Sequence, residues 1–268
     1  MMVFNPHASH GRARRFLPMV TAELERFARV DVVLTSGPGD AVQRVAETRL
    51  TAYDGLIAAG GDGTLFEVLN GLYRHPPAQR APLGLLPVGT GNAFARDLDL
   101  QSGDWKKGAG LIRKGRLRRV DVGRAEPAAA AGSWPAFHFL NIIGAGLPVD
   151  AMRAAEHIKY VGRHAYSLAA FWRAMRLKSY PMRIELDGET LEQEAMFVEI
   201  SNTRYTGTHF LMAPDARLDD GLLDVTLVRR LPRARLLRLF PTIYRGEHVR
   251  YPEVLTRRAR SIVIRGPA

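Results

Sequence analysis

The first 120 or so residues alternate short apolar stretches with stretches of helical periodicity, and this alternation is the strongest constraint on the fold. Strands are predicted at residues 3–4, 30–35, 53–59 and 83–88, and helices at residues 12–27, from residue 40, at 65–72 and at 92–98. Strands that alternate with helices of this length are typical of βαβ units, in which helices cover both faces of a parallel sheet. The amino-terminal part is therefore predicted to be an α/β domain of the kind that binds nucleotides.

Four of the predicted strands end in a turn that is rich in glycine or small polar residues. These turns are Asn5 to Gly11, Thr35 to Gly37, Gly60 to Thr64 and Gly89 to Asn92. Open α/β sheets bind their ligands at the carboxyl ends of the strands. We therefore expect the four turns to lie together and to form a binding site.

The turn from Gly60 to Thr64 is similar to a phosphate-binding loop, but it has no lysine and fits neither the P-loop nor the G-x-G-x-x-G pattern. Its glycines would let backbone amides approach phosphate oxygens closely. Thr64 with Glu67 fits the capping-box pattern, which predicts the start of a helix whose amino end attracts anions. Asp62 would repel phosphates unless Mg²⁺ lies between them or unless it acts on the acceptor. The turn thus indicates phosphoryl transfer from a Mg²⁺–nucleotide, with a purely structural turn as the alternative.

The rest of the sequence has a different pattern. It predicts a strand at residues 137–143, an amphipathic helix at residues 163–177, and short alternating strands with Asp-Gly turns from Met182 onward. Asp-Gly between alternating stretches favours antiparallel hairpins. We predict two domains, an α/β domain at residues 1–122 and a β-rich domain at residues 123–268.

The charge of the chain is unevenly distributed. The formal net charge is +11, and the stretch from Arg229 to Ala268 has eleven arginines against only Glu247 and Glu253. A basic end of this kind suits a membrane surface or a nucleic acid, or it is simply a solvated face. No aromatic ladder, zinc-finger spacing or RNP-like pattern accompanies it, so no nucleic-acid partner is predicted.

Composition and the amino terminus indicate a cytoplasmic protein. The chain has no cysteine, which fits a reducing compartment, and its first residues do not form a signal peptide. Residues 127–149 are uncharged, but proline, histidine, asparagine and glycines interrupt them, so they are not predicted to span a membrane.

Several motifs together are similar to a known family. They are NPHASHGRAR, GGDGTLFEVLNGL and LLPVGTGNAFARDL, then Val120 to Gly123, APDARLDDGLLDV (Ala213 to Val225) and RGEHVRYPEV (Arg245 to Val254). Their order over nearly the whole chain resembles the diacylglycerol kinase and sphingosine kinase superfamily, specifically its bacterial soluble lipid kinases. GGDGT alone is shared with NAD kinases and phosphofructokinases.

The resemblance implies an amino-terminal α/β nucleotide-binding domain and a carboxy-terminal antiparallel β-sandwich-like domain. It further implies transfer of the γ-phosphate of ATP to a lipid hydroxyl at a membrane surface, with peripheral association. The residues that it implies in nucleotide contact are Asn5, Pro6, His7, Ala8, Ser9, Thr35, Gly61, Asp62, Gly63, Thr64, Leu65, Phe66, Glu67 and Thr90. Asp220 and the backbone oxygens of Arg217 and Leu222 would bind Mg²⁺, and Asp62 and Asp121 would lie near the phosphates.

The sequence departs from the family pattern in two places. Ala93 stands where members usually have an aspartate, in Asn-Asp-Phe. Members also have a later Asp-Gly-Glu whose glutamate is taken as the base, beyond the point at which this sequence stops; Asp187-Gly188-Glu189 matches an earlier segment. Asp62 is a candidate for that role. NAD kinase and a catalytically weak nucleotide- or lipid-binding protein are the alternative interpretations.

Overall fold

A computed structural model of the chain describes residues 1–127, 134–146, 179–207 and 209–266. The helix predicted at residues 163–177 lies outside the described residues. No helix among the described residues is long and apolar enough to cross a membrane. The chain forms two compact units, Met1–Leu140 and Asn141–Ala268.

The first unit is built on a four-stranded parallel sheet, which confirms the α/β prediction. Its strands are β1 (Met2–Phe4), β2 (Val32–Leu34), β3 (Leu56–Gly60) and β4 (Leu83–Pro87), in the order β2-β1-β3-β4. All three residues of the central strand β1 are buried, whereas Val32 and Leu34 of the edge strand β2 are exposed. The sheet therefore has its apolar centre at β1 and β3.

Among the described residues of this unit, five α-helices connect the strands. They are α1 (Leu17–Glu25), α2 (Asp40–Glu47), α3 (Asp62–Leu72), α4 (Ala93–Asp97) and α5 (Trp105–Arg113). The helix predicted at residues 12–27 begins as a 3₁₀ helix, Arg12–Phe16, and becomes α-helical only at Leu17, one residue before Pro18. Proline suits a first helical turn because its missing N–H would have no partner there.

A glycine determines how closely α2 and α3 pack. A Cβ atom added at Gly71 of α3 would lie 2.7 Å from the Val42 carbonyl oxygen and 2.7 Å from the Val45 Cβ atom. These contacts are shorter than van der Waals distance, so only glycine permits this approach of the two helices.

A short hairpin completes the first unit. It consists of β5 (Gly123–Ala125) and β6 (Phe137–Phe139), and it contacts α3. The strand predicted at residues 137–143 is in fact two strands, because β6 pairs with β5 whereas β7 (Ile142–Gly146) pairs with a strand of the second unit. The two compact units divide after Leu140, beyond the hairpin, and the domain boundary near residue 123 stays a prediction.

The second unit is antiparallel β structure, as predicted. Besides β7 its strands are β8 (Tyr180–Leu186), β9 (Glu189–Ser201), β10 (Tyr205–Thr206), β11 (Phe210–Leu211), β12 (Leu223–Arg229), β13 (Val254–Ala259) and β14 (Ile262–Arg265). Helix α6 (Arg233–Leu239) and the 3₁₀ helices Phe240–Arg245 and Glu247–Arg250 join β12 to β13. The Asp187-Gly188 turn joins β8 to β9, with φ angles of 49° and 96° that suit a tight hairpin.

The thirteen-residue strand β9 organises the second unit. Its first half pairs with β8, and its second half pairs with β12 on one side and β7 on the other. The order of the main sheet is β13-β12-β9-β8-β14, although only Arg260 and Ser261 separate β13 from β14. Since consecutive strands stand at opposite edges, the sheet must curl back on itself, as in a sandwich.

Candidate functional site

The first and third of the predicted turns are joined by a side-chain hydrogen bond. Asn5, directly after β1, donates from Nδ2 to the Thr64 hydroxyl at 3.0 Å, and its Oδ1 accepts the N–H of His7 at 2.9 Å. Thr64 is buried, and the Asn5 N–H also bonds to the carbonyl of Ala59 at the end of β3. Asn5 therefore holds the loop after β1 against the turn after β3.

Ser9 joins the first turn to the fourth. Its hydroxyl donates to the Val88 carbonyl at 3.0 Å and accepts from the Thr90 hydroxyl at 3.3 Å. Ser9 and the next residue, His10, have left-handed backbone angles, with φ of 52° and 59°. Such conformations are costly for residues with a Cβ atom and occur often at functional sites.

The glycines of the third and fourth turns pack backbone against backbone. A Cβ atom at Gly60 would lie 2.3 Å from the Thr64 hydroxyl, one at Gly61 would lie 2.7 Å from the Gly91 carbonyl, and one at Gly89 would lie 2.4 Å from the Gly61 Cα. The Gly89 N–H bonds to the Gly60 carbonyl at 2.9 Å. The structure thus gives these glycines a role that the sequence did not suggest, since they let two turns touch. Gly63, by contrast, has open space where a Cβ would be.

Asp62 connects α3 to the start of α4. Its carboxylate accepts the N–H groups of Ala93 at 2.9 Å and Phe94 at 3.4 Å, and its own N–H bonds to the Gly91 carbonyl at 3.0 Å. A carboxylate at this place stabilises the amino end of a helix. Asp62 therefore fixes the relative position of the turns after β3 and β4, whatever further role it has.

The predicted capping box of Thr64 and Glu67 is wrong. Helix α3 begins at Asp62, its N-cap residue is Gly61, and no side chain caps it. Glu67 instead accepts the N–H of Gly39 at 2.9 Å and that of Ala41 at 3.2 Å. The helix starts three residues earlier than the pattern requires, so Glu67 lies a full turn inside α3 and its carboxylate caps the neighbouring helix α2.

The second turn lies beside the end of β1, and Glu67 bonds to Gly39, two residues beyond this turn. Thr35 is buried, and its N–H bonds to the carbonyl of Phe4 at 3.0 Å. The Ser36 N–H donates to Asp40 at 2.8 Å, and this bond, more than any other cause, lowers the pKa of Asp40. All four turns thus lie together at the carboxyl edge of the sheet, as predicted.

The other residues predicted on the nucleotide side are placed by the same turns. Pro6 and Ala8 are partly exposed in the loop after β1, and His7 and Thr90 are exposed. Leu65 is buried in α3, whereas Phe66 is 41% exposed, with its ring centroid 5.7 Å from that of Phe137. The side chains of Thr35, Thr64 and Leu65 are buried, so they stabilise the turns from inside.

Asn92 and Ala93 form a buried layer beneath the fourth turn. The Asn92 side-chain amide donates to the Gly89 carbonyl at 2.7 Å and to the Ser102 hydroxyl at 2.8 Å, and Ser102 in turn donates to the Thr90 carbonyl at 2.9 Å. Ala93 is 3% exposed beside the Asp62 carboxylate. The position at which family members have an aspartate is therefore in contact with Asp62.

Asn70 is a structural residue that the sequence reasoning missed. Its side chain donates to the carbonyl of His138 at 2.9 Å and accepts the His138 N–H at 2.8 Å, as a neighbouring strand would. The rings of Tyr73 and His138 lie 4.2 Å apart. Burial, followed by the charges of Arg124 and Arg80, lowers the pKa of His138. Asp121 lies two residues before β5, and so near the first strand of this hairpin.

The predicted magnesium ligands lie in the turn before β12. Leu222 donates its N–H to Asp220 Oδ1 at 3.1 Å, and Gly221 between them has a φ of 72°. The guanidinium of Arg217 lies 3.8 Å from Asp219. One carboxylate with backbone carbonyls is a donor set that suits a hard cation. Within the described parts of the chain, no three acidic or histidine side chains cluster as a metal site.

The acidic residues of that turn affect the pKa of Asp224. Burial raises the pKa of Asp224, the hydrogen bond and charge of Arg258 oppose the rise, and the charges of Asp220 and Asp215 add to it. Arg258 Nε lies 3.1 Å from Asp224, and its Nη2 donates to the Asp215 carbonyl at 2.8 Å. Arg258 thus partly neutralises the charge of the Asp224 carboxylate.

Strand β9 carries a second feature that the sequence reasoning missed, a buried carboxylate. Glu199 is 1% exposed and accepts the hydroxyl groups of Thr206 at 2.5 Å and Ser201 at 3.1 Å. Burial raises the pKa of Glu199 to about 7, against the opposing effect of these two hydrogen bonds. A glutamate within the apolar stretch Ala195 to Ile200 was the signal that could have revealed it.

Comparison with known proteins accounts for both units. Residues 1–125 match the family model described as diacylglycerol kinase catalytic domain, and residues 141–268 match the one described as YegS C-terminal NAD kinase beta sandwich-like domain. A diacylglycerol kinase of Staphylococcus saprophyticus is 32% identical over 98% of this chain and 83% of its own length. The chain belongs to the diacylglycerol kinase family.

Further relatives agree with this family membership. The sequence-based prediction of a lipid kinase is therefore confirmed. A diacylglycerol kinase of Mycobacterium tuberculosis is 32% identical over 98% of the chain and 84% of its own length. A crystal structure of a diacylglycerol kinase from Bacillus anthracis str. Sterne superposes with a TM-score of 0.77 at 27% identity, over all of this chain and 85% of that one. The two-part fold, α/β followed by antiparallel β, is confirmed by the same likeness.

Proposed function

We propose that this lipid kinase transfers the γ-phosphoryl group of ATP to a hydroxyl group of diacylglycerol, with a sphingoid-like lipid as the second candidate acceptor. The lipid oxygen forms a bond to the γ-phosphorus, the bond from that phosphorus to the β,γ-bridging oxygen breaks, and ADP leaves. The proton of the lipid hydroxyl passes to a base. The names of the relatives support diacylglycerol as the first acceptor to test.

One observation carries the nucleotide part of this proposal, namely the direct bonding of three strand-end turns at one edge of a parallel sheet, with the turn after β2 beside the end of β1. Asn5 bonds to Thr64, Ser9 bonds to Thr90, and Asp62 bonds to Ala93 across them. Ligands of open α/β sheets bind at this edge. A rigid arrangement of glycine amides and hydroxyl groups suits phosphate oxygens, and phosphoryl transfer depends mostly on positioning and charge stabilisation.

The roles of individual residues follow the sequence-based prediction. Nucleotide contact is proposed for Asn5, Pro6, His7, Ala8, Ser9, Thr35, Gly61, Asp62, Gly63, Thr64, Leu65, Phe66, Glu67 and Thr90. Asp62 and Asp121 are proposed near the phosphates, with Asp62 as candidate base. Since Asp62 already accepts two backbone N–H groups, its first task is to hold α4 in place.

Magnesium is proposed as the cofactor. Asp220 and the backbone oxygens of Arg217 and Leu222 would hold one ion in the second unit, where the Asp220 carboxylate already fixes the Leu222 peptide. Bound Mg²⁺ would neutralise charge on phosphate oxygens during transfer. We further propose that the enzyme works as a peripheral protein at the cytoplasmic face of a membrane, where ATP and the lipid meet.

A labelled-phosphate assay tests the proposal. The protein, [γ-³²P]ATP and Mg²⁺ are incubated separately with diacylglycerol, sphingosine and NAD, and the products are separated by chromatography. We expect label in phosphatidic acid. Label in NAD alone would overturn the proposal in favour of the NAD kinase alternative, and transfer to no acceptor while ATP still raises the melting temperature would favour a binding protein.

A matched pair of variants tests Asp62. Asp62→Asn is expected to lower kcat by a factor of about 10² or more, the usual range for loss of general-base assistance. Asp54 is an exposed aspartate two residues before β3, whereas Asp62 follows that strand. Asp54→Asn is expected to leave kcat unchanged. A fully active Asp62→Asn would remove Asp62 from the chemistry.

A further inference from the structure

The chain between β12 and β13 has one side in the core and one side in solvent. Leu236 and Leu239 of α6 are buried in the apolar cluster of the second unit, and Phe240 and Ile243 of the following 3₁₀ helix pack against that cluster. The opposite side is exposed and carries Arg233, Leu237, Arg238, Pro241, Tyr244 and Arg245. We call these six side chains the α6 face.

The α6 face is partly apolar. Leu237 is 42% exposed and Tyr244 is 40% exposed. Leu237, Pro241 and Tyr244 follow one another at spacings of four and three residues, which places them on one side of a helical segment. The ring of Tyr244 packs 5.1 Å from that of Phe210, so it is held in position at the surface.

The α6 face is also strongly basic. Residues 230–246 contain five arginines and no acidic residue. Arg235 is neutralised by Glu253 at 2.8 Å and lies over the Tyr251 ring. Arg233, Arg238 and Arg245, by contrast, are exposed and form no ion pair with a carboxylate of the described residues. Three positive charges therefore flank an exposed apolar strip.

We infer that the α6 face is the surface by which this enzyme docks on an anionic lipid bilayer. The inference rests on the proposed lipid kinase function and adds the place of contact. Leu237 and Tyr244 would enter the boundary between headgroups and acyl chains, and the three arginines would contact lipid phosphates. Charge complementarity selects this partner, and the apolar strip distinguishes it from a nucleic acid, which offers phosphate charge but no apolar layer for Leu237.

Vesicle sedimentation tests the inference with two triple variants of equal charge. Arg233→Gln/Arg238→Gln/Arg245→Gln changes the α6 face, and Arg29→Gln/Arg257→Gln/Arg260→Gln removes three exposed arginines elsewhere. Each arginine near an anionic surface contributes about fivefold to partitioning. The vesicles contain phosphatidylcholine with about 30% phosphatidylglycerol. On them the first triple variant is expected to bind ~100-fold more weakly than wild type, and the second triple variant about as tightly as wild type.

A single apolar change and an activity measurement complete the test. Leu237→Ser is expected to weaken binding at every salt concentration, whereas the effect of the arginines should fade as salt screens them. All variants should phosphorylate diacylglycerol in detergent micelles at the wild-type rate. Equal loss of vesicle binding in both triples, or tighter binding of a nucleic-acid oligonucleotide than of vesicles, would overturn the inference. Failure of wild type to phosphorylate micellar lipid would instead count against the proposed function alone.

Discussion

Asp62 and Glu67 both belong to α3, yet each carboxylate accepts backbone N–H groups from the start of another helix. Asp62 receives those of Ala93 and Phe94 at α4, and Glu67 receives those of Gly39 and Ala41 at α2. Negative charge at the amino end of a helix is stabilising. The acidic residue in the glycine turn therefore has a structural reason to be there, which exists before any ligand binds.

Restoring the family's aspartate at residue 93 should create a magnesium-dependent conflict with Asp62. Ala93→Asp places a second carboxylate in a buried position beside the first, at a cost of about 2 kcal/mol for an uncompensated buried charge. We expect a lower melting temperature at pH 8 in EDTA and partial recovery with Mg²⁺, since a divalent cation can lie between two carboxylates. Thermal unfolding with and without Mg²⁺ measures this.

The control for that variant is Ala93→Asn, which has the same size without the charge. Its melting temperature should be lowered by the same amount with and without Mg²⁺. If Mg²⁺ leaves both variants equally destabilised, the two positions do not share a cation.

Glu199 should make the stability of the protein depend on pH. Burial raises the pKa of Glu199 to about 7 in the folded state, from 4.5. The unfolded chain therefore loses its proton first, so folding stability is lost as pH rises from about 4.5 to about 7, by up to about 3 kcal/mol. Glu199→Gln removes this dependence, so the melting temperature of the variant relative to wild type should rise between pH 5 and pH 8.

Glu25→Gln is the matched control for Glu199, since Glu25 is exposed at the end of α1. Its difference from wild type should be small and nearly constant between pH 5 and pH 8. A constant difference for Glu199→Gln as well would mean that Glu199 keeps its charge in the folded state.

At the scale of elements, α3 is the connecting piece of the first unit. Its start carries the glycine turn, Glu67 holds α2, Gly71 allows α2 to approach, and Asn70 holds β6. In the sequence these are the residues of the EVLNGL motif. The motif is thus explained by the neighbours of α3, and only partly by a ligand.

Asn70→Ala should loosen the hairpin of β5 and β6. It removes three hydrogen bonds, two to the backbone of His138 and one to that of Phe66, and leaves partly buried groups without partners. We expect a loss of about 1–3 kcal/mol of stability and faster hydrogen exchange at the His138 N–H. Amide exchange measured by mass spectrometry or NMR reads this directly.

Asn70→Asp is the comparison for Asn70→Ala, because it keeps the acceptor for the His138 N–H and loses only the donor. Exchange at that N–H should then stay slow although some stability is lost. Unchanged exchange in Asn70→Ala would show that the hairpin is held by its ring contacts instead.

Whole elements of this fold were predictable, because periodicity and glycine turns are local signals. The parallel sheet, the meeting of the four turns and the antiparallel second unit were all predicted. The roles of Glu67 and Glu199 were not, since a capping pattern cannot show that the helix starts three residues earlier, and burial of a single glutamate depends on strands distant in sequence. Interactions between elements are what the sequence left open.

At the scale of the whole molecule, the place where the two units divide can be tested with fragments. Residues 1–140 retain the hairpin of β5 and β6 on α3, whereas residues 1–122 lack it. The shorter fragment loses the partner of Asn70 and the rings beside Phe66 and Tyr73. Residues 1–140 should therefore unfold more cooperatively and at a higher temperature in calorimetry. Equal melting temperatures would place the division before the hairpin.

The position of β13 and β14 has a consequence for the time course of folding. These strands are adjacent in the chain but pair at opposite edges of the sheet, with β12 and β8, and both of those need β9. Strands β13 and β14, joined by Arg260 and Ser261, can pair only after β12 and β8 have paired with β9. The two carboxy-terminal strands therefore pair last, and the second unit, dominated by contacts between distant residues, should reach its native state more slowly than the first.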